Sequence, residues 1–206
     1  MNLYKSVLYF FLSVTIIKSN FTGHHCDTVK PYGIVNASAS GKWHLVKGVQ
    51  IGGGNGSSNA CGFFNTVSPC KCIGVYISTN QTPPITNYTL INFGYNSQLR
   101  SYGTTDIRLN LISKTLSIYN AYVPLAQINF TVAILGTDDF TSWMSLTMCN
   151  SLKDKNGSIG KIMWIITRSN NPSQTILSNA TDTLKTYING NMPLISIDQT
   201  NCPPIV

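Results

Sequence analysis

Glutamate is absent from this chain: all seven acidic residues are aspartate, and charged residues make up only 10% of its 206 positions. Histidine is nearly as scarce, with His24, His25 and His44 alone. These shortages remove most enzymatic designs. No serine sits in a Gly-x-Ser-x-Gly elbow, the strained turn that presents a hydrolase nucleophile. The run Gly52–Gly56 lacks a following Lys-Ser/Thr, so no phosphate-cradling loop is present. Basic residues are scattered, densest at Lys153 and Lys155, and no basic stripe with interleaved aromatics points to nucleic acid. Long apolar runs are missing too: the longest, Val7–Ile17, falls short of the roughly 20 residues that a helix needs to cross a bilayer. No window of a dozen residues reads as an amphipathic helix.

The remaining carboxylates and histidines have ordinary readings. Asp138-Asp139 are adjacent in a turn, where side chains diverge, whereas general acid–base work needs two groups converging on one bond. The pair reads as a solvated turn. His24-His25 reads as a solvated pair near the start of the chain, and His44, beside Trp43, as a rim or hydrogen-bonded structural histidine. The expectation is a non-enzyme with no cofactor, no catalytic residue and no metal.

Lys5 followed by the apolar run and Lys18-Ser19 has the form of a secretory leader cleaved near Ser19. The expected division is therefore a leader over residues 1–19 and one domain over 20–206. With Lys5 and Lys18 removed, twelve Lys and Arg face seven aspartates, and the formal charge falls from +7 to +5. Both an exported soluble chain and the front of a longer surface protein satisfy this reading. Export makes two further patterns meaningful. Sequons stand at Asn20, Asn36, Asn55, Asn80, Asn87, Asn129, Asn156 and Asn179, and each glycan must sit on the surface. Cys26, Cys61, Cys70, Cys72, Cys149 and Cys202 make three disulfides the default in an oxidising compartment, preferred over a zinc site built from Cys70, Cys72 and His24 or His25. Fifteen connectivities exist. Cys70 and Cys72 are too close to bridge each other, so Cys61 is expected to take one and Cys149 the other.

The dominant hydrophobic period is two. Ile128, Phe130, Val132 and Ile134 alternate with Asn129 and Thr131, and Ile107, Leu109 and Leu111 alternate with Arg108 and Asn110, the pattern of half-buried strands. Trp43–Ile51, Cys72–Ser78, Thr89–Phe93, Thr115–Tyr119, Trp143–Met148 and Ile159–Thr167 are rich in β-branched and aromatic residues. Asn156-Gly157 and Asn189-Gly190 are two-residue hairpin signals, the second expected to join strands Thr183–Ile188 and Met192–Ile197. Many short strands separated by turns predict an all-β antiparallel sandwich. Tyr32, Phe63, Phe64, Tyr88, Tyr95, Tyr102 and Tyr122 fall outside the expected strand cores and are candidates for recognition.

Several stretches resemble the N-terminal domain of coronavirus spike glycoproteins, nearest the gammacoronavirus type. They are Trp43-His44-Leu45 with Gly48 and the Asn/Gly/Ser-rich stretch to Cys61, Cys70 and Cys72 before Val75-Tyr76-Ile77-Ser78, Asn129–Ile134 with Phe140, Ser142 and Cys149-Asn150, and Tyr187-Ile188-Asn189-Gly190. Together they cover some forty residues, and the spacing from Cys149 to Tyr187 exceeds that of the avian pattern. The resemblance implies a galectin-like sandwich on a virion surface that attaches to a host-cell glycan or protein receptor, oligomeric if part of a spike. The family's binding loops do not match, so no binding residue is carried over. The Gly-Asp-Ser nucleophile of the related haemagglutinin-esterases is absent. The main alternative is a secreted decoy that sequesters a host cytokine or chemokine; a secreted hydrolase ranks below it.

Overall fold

The structure is a computed structural model that describes residues 31–33, 37–49, 61–62, 66, 68–82, 84–125, 127–149, 162–187 and 194–205. The expected leader, His24, His25, Cys26, Gly52–Gly56, Phe63, Phe64, both Asn-Gly turns and the sequons Asn20, Asn36, Asn55 and Asn156 lie outside the described residues.

A 3-10 turn at Ala37–Ala39 precedes eight strands: β1 (Gly41–Val49), β2 (Cys70–Ser78), β3 (Asn87–Asn96), β4 (Ser101–Leu111), β5 (Ile118–Val123), β6 (Ile128–Thr137), β7 (Trp143–Cys149) and β8 (Ile162–Thr167). A helix, α1 (Gln174–Lys185), and a short strand, β9 (Leu194–Ser196), follow. Each strand from β2 to β8 pairs antiparallel with the next, β8 pairs with β1, and β1 pairs back onto β2. The sheet therefore closes into an eight-stranded barrel, with β9 added beside β1. This corrects the expected sandwich. Period-two alternation marks one dry face per strand, and here the dry faces meet across the inside of one sheet. Closure also removes the open edges that a sandwich must protect.

Inside, Trp43, Leu45, Ile73, Val75, Tyr119, Ala121, Phe130, Val132 and Trp164 are buried in one continuous core. A second, smaller core lies outside the barrel wall. Val46, Ala133, Leu135, Trp143, Met163 and Ile165 pack against Ala180 and Leu184 of α1. That outer core explains β8, in which all six residues are buried, since alternate side chains point into the barrel and under the helix.

The helix replaces the strand expected from Thr183. Ser173 caps it, its side chain accepting from the Ile176 N–H at 3.4 Å, which satisfies an amide that would otherwise lack an intrahelical partner. Ile176, Leu177, Ala180 and Leu184 form its packed face, spaced for a helical stripe. Ser145 Oγ donates to the Ala180 carbonyl at 2.8 Å and fixes the helix to β7. Only four apolar residues among Thr, Ser and Asn carry the pattern, which is why the sequence does not announce it. β5 also begins later than expected: Thr115 and Leu116 donate their amides to Ser113 Oγ in a turn, and the strand starts at Ile118.

Candidate ligand-binding site

The strand directions collect two sets of loops at opposite ends of the barrel. At one end, Trp43 Nε1 donates to the Ala39 carbonyl at 2.8 Å, and the Arg168 guanidinium stacks 3.8 Å from the Trp43 ring centroid. Residues 31–33 thread across the same end, with Tyr32 N–H donating to Ile134 and Ser117 N–H to Tyr32. Tyr32 meets Phe140 edge-to-face at 6.0 Å and donates its hydroxyl to Asp139 at 2.8 Å. This end is closed.

At the other end, the segment 61–62 reaches over β3. Cys61 is bridged to Cys70 at the start of β2, and a Cβ on Gly94 would come within 2.7 Å of the Cys61 carbonyl carbon and the Gly62 nitrogen. Glycine at 94 is what permits the close approach. Gly62 sits at φ +123° against the Asn92 side chain, and Asn92 Nδ2 donates to the Gly74 carbonyl at 3.0 Å.

Between the two ends is a cavity of about 50 Å³. Its walls are aliphatic, methionine and aromatic side chains from β2 to β8, among them Val75, Leu90, Leu109, Val132, Met144, Met148 and Trp164. The polar atoms on lining side chains are the Tyr88 and Tyr119 hydroxyls and the Trp164 indole nitrogen. Tyr88 and Tyr119 meet edge-to-face at 5.9 Å, and burial pushes the Tyr88 phenol up to about 12, so it stays neutral. An interior lined this way offers an ion nothing to repay its desolvation. Among the described residues no cluster of His, Cys or Asp is placed to hold a metal.

The wall beside this cavity has a seam. β1 and β2 pair only from Gly41 to His44 against Ile77 to Gly74, and the C-terminal segment enters where they part. Lys47 to Val49 pair with β9, Ile197 N–H donates to Val46, and Cys72 N–H donates to Asp198 at 2.8 Å. Gln199, buried, donates its amide to the Leu45 carbonyl at 2.7 Å and the Ile73 carbonyl at 2.9 Å. Its remaining oxygen faces His44 Nδ1 at 3.4 Å, so Nδ1 carries the hydrogen. The Cys72–Cys202 disulfide locks the segment down.

The residues singled out from sequence scatter over this frame. Cys61 pairs with Cys70 as one of its two expected partners, but Cys72 bridges Cys202 instead of Cys149; the tail comes back along β1 to lie beside β2. Asn80, Asn87, Asn129 and Asn179 are all exposed. Asp138 and Asp139 form a turn as expected. Burial pushes the Asp138 carboxyl up, and the Ser142 and Trp143 amides that it accepts together outweigh this and leave it below the usual range. Tyr88, Tyr95, Tyr102 and Tyr122 lie within strands, and Tyr88 is buried at the cavity. The sequence did not single out Tyr119, Met144, Met148 or Trp164; their alternation was visible, but not that they face one another.

No family model matches this chain, and no curated protein does. Solved structures do match in fold. Lobster apocrustacyanin A1 superposes with a TM-score of 0.58 at 13% identity over 80% of this chain and 79% of that one. The siderocalin Ex-FABP gives 0.54 at 14% identity over 82% and 98%. The amine-binding protein of Rhodnius prolixus, solved as its tryptamine complex, gives 0.54 at 11% identity over 82% and 84%. The barrel is lipocalin-like. At these identities the likeness is one of fold. It overturns the spike resemblance: the stretches around Trp43, Cys70 and Asn129 are strands of a lipocalin-like barrel, and no support remains for a spike domain, a virion location or viral attachment. Tyr187 ends the turn after α1 and does not belong to an expected strand 183–188.

Proposed function

We propose that this chain is an exported, N-glycosylated, non-enzymatic binding protein that encloses a small, uncharged, apolar molecule inside its barrel. The observation that carries the reading is the cavity lined by Val132, Met144, Met148, Trp164 and their neighbours, closed at one end by Trp43 and Arg168 and overlain near the other by Cys61 and Gly62. The solved neighbours add support: one is a siderocalin that functions through dual ligand specificities, and another is a tryptamine complex. Such a protein captures a soluble ligand, in line with the sequestering alternative and not with attachment to a cell.

Size narrows the ligand class. A cavity of about 50 Å³ is well below the roughly 300–1,000 Å³ of a drug-sized site. The ligand is compact, or it enters as Met144 and Met148 change rotamer, since unbranched thioethers adapt to irregular shapes at little cost. Exposed sequons at Asn80, Asn87, Asn129 and Asn179 and the two disulfides fit an oxidising, extracellular setting.

The test is a titration of the secreted protein with a graded series of apolar molecules, from benzene and indole to larger rings, followed by tryptophan fluorescence. Saturable quenching is expected for the small members, lost in Trp164→Phe as signal and in Val132→Phe as affinity. No saturable binding by any member, or undiminished binding to a folded Val132→Phe protein, overturns the reading. Insensitivity of the secreted chain's mass to an N-glycosidase would separately overturn glycosylation.

A further inference from the structure

The outer wall of the barrel carries one row of exposed side chains that crosses four strands. Lys42 of β1 is paired with Tyr76 of β2, Tyr76 with Ile91 of β3, and Ile91 with Asp106 of β4. All four are exposed, Tyr76 at 49% and Ile91 at 39%. The other exposed large hydrophobics among the described residues, Leu99, Ile112, Leu125 and Ile205, lie in turns or the tail. Tyr76 and Ile91 are therefore the large apolar side chains that the strands themselves leave in water, and they sit side by side. The opposite wall, β6 to β8, is covered by α1.

From these features we infer that the part of the β1–β4 wall centred on the Lys42, Tyr76, Ile91 and Asp106 row, away from the Asn80 and Asn87 sequons at its β2–β3 end, is the interface of a homodimer, with a second copy of this chain as its occupant. The argument is the order of chemistry along the row: a cation, two apolar residues, an anion. A two-fold axis lying between the two walls, parallel to the strands and midway between β2 and β3, turns that order onto itself. Lys42 of each copy then meets Asp106 of the other, and each Tyr76 covers the partner's Ile91. An isologous interface requires this self-complementarity. Neighbouring strands lie about 4.8 Å apart, so the row spans roughly 14 Å from Lys42 to Asp106, enough to set two ion pairs around an apolar centre. Phe93, one step along β3, backs the row, with Lys42 Nζ 5.5 Å from its ring centroid. The adjacent row meets in register: Thr104 of one copy comes over the half-buried His44 of the other.

The two charges permit a test that no general stickiness would pass. Sedimentation velocity of the secreted wild-type chain over a concentration series should show a reversible dimer. Lys42→Asp leaves two acids on the row and Asp106→Lys leaves two bases, so each variant alone should associate at least tenfold more weakly. An equimolar mixture of the two should recover a one-to-one dimer, and so should the chain carrying both substitutions. Circular dichroism and thermal unfolding confirm that each variant folds. A wild-type chain that stays monomeric at the highest concentration overturns the inference. So do single variants that associate like wild type, or a mixture and a double variant that both remain monomeric.

Discussion

Arg168, one residue beyond β8, lays its guanidinium 3.8 Å from the Trp43 ring of β1 while its nitrogens donate to the carbonyls of Lys42, Ser38 and Phe140. One side chain thus ties the last barrel strand, the first, the turn before the first, and the β6–β7 turn. Closure of the barrel at this end depends on that junction, since β1 must be held against both β8 and β2. Planarity matters as much as charge, because the same group stacks on a ring and presents several donors at its edge.

Replacing Arg168 by alanine should destabilise the protein by roughly 2–4 kcal/mol, the sum expected of a desolvated cation–π contact and charged hydrogen bonds. Lysine should recover only a minor part. Urea unfolding monitored by circular dichroism measures both, and equal stability of the lysine variant and wild type would contradict the stacking account.

The C-terminal segment acts as part of the wall. Gln199→Ala removes donors from the Leu45 and Ile73 carbonyls and should cost about 1–3 kcal/mol. Replacing Cys72 and Cys202 together by serine opens a loop of 130 residues and should cost about 2–5 kcal/mol. In both variants, amide exchange should accelerate at position 72 and at Ile197, whose N–H groups donate across this seam, while Tyr119 and Val132 on the far side keep their protection.

Acid should loosen the same seam. Burial, then the nearby Lys42 charge, lowers the His44 pKa from its ordinary 6.5, and the Gln199 hydrogen bond opposes them only in part. Below pH 6.5 the unfolded chain takes up a proton at His44 that the folded chain still refuses, so stability is full above that pH and falls as pH drops toward the folded value. His44→Gln should flatten the decline in melting temperature between pH 7 and pH 5. An unchanged slope would assign the decline to other groups.

Much of the strand content was legible because alternation is local. Ile128–Ile134 and Cys72–Ser78 read as strands and fold as strands, and so does the expected strand from Trp43 over its described residues, to Val49. The helix was not legible, since Ile176, Leu177, Ala180 and Leu184 are sparse among residues equally at home in turns. A signal did exist in β8: Ile162–Thr167 is apolar on both faces, so a covering layer outside the sheet was required. The candidate site was legible only as separate core positions, with Tyr88 assigned to recognition although it lies at the cavity.

By itself the sequence determined that the chain is built largely of antiparallel strands, most with one dry face, and that Cys61 has a partner in the Cys70/Cys72 pair. These follow from composition and from a period of two, which neighbouring residues settle among themselves. Only the tertiary structure decided that the sheet closes on itself and that Cys72 meets Cys202. It also decided that Lys42, Tyr76, Ile91 and Asp106 share one row. Alternation says which side of a strand avoids water, but not what lies opposite it; that depends on register between strands far apart in the chain, which no local pattern encodes.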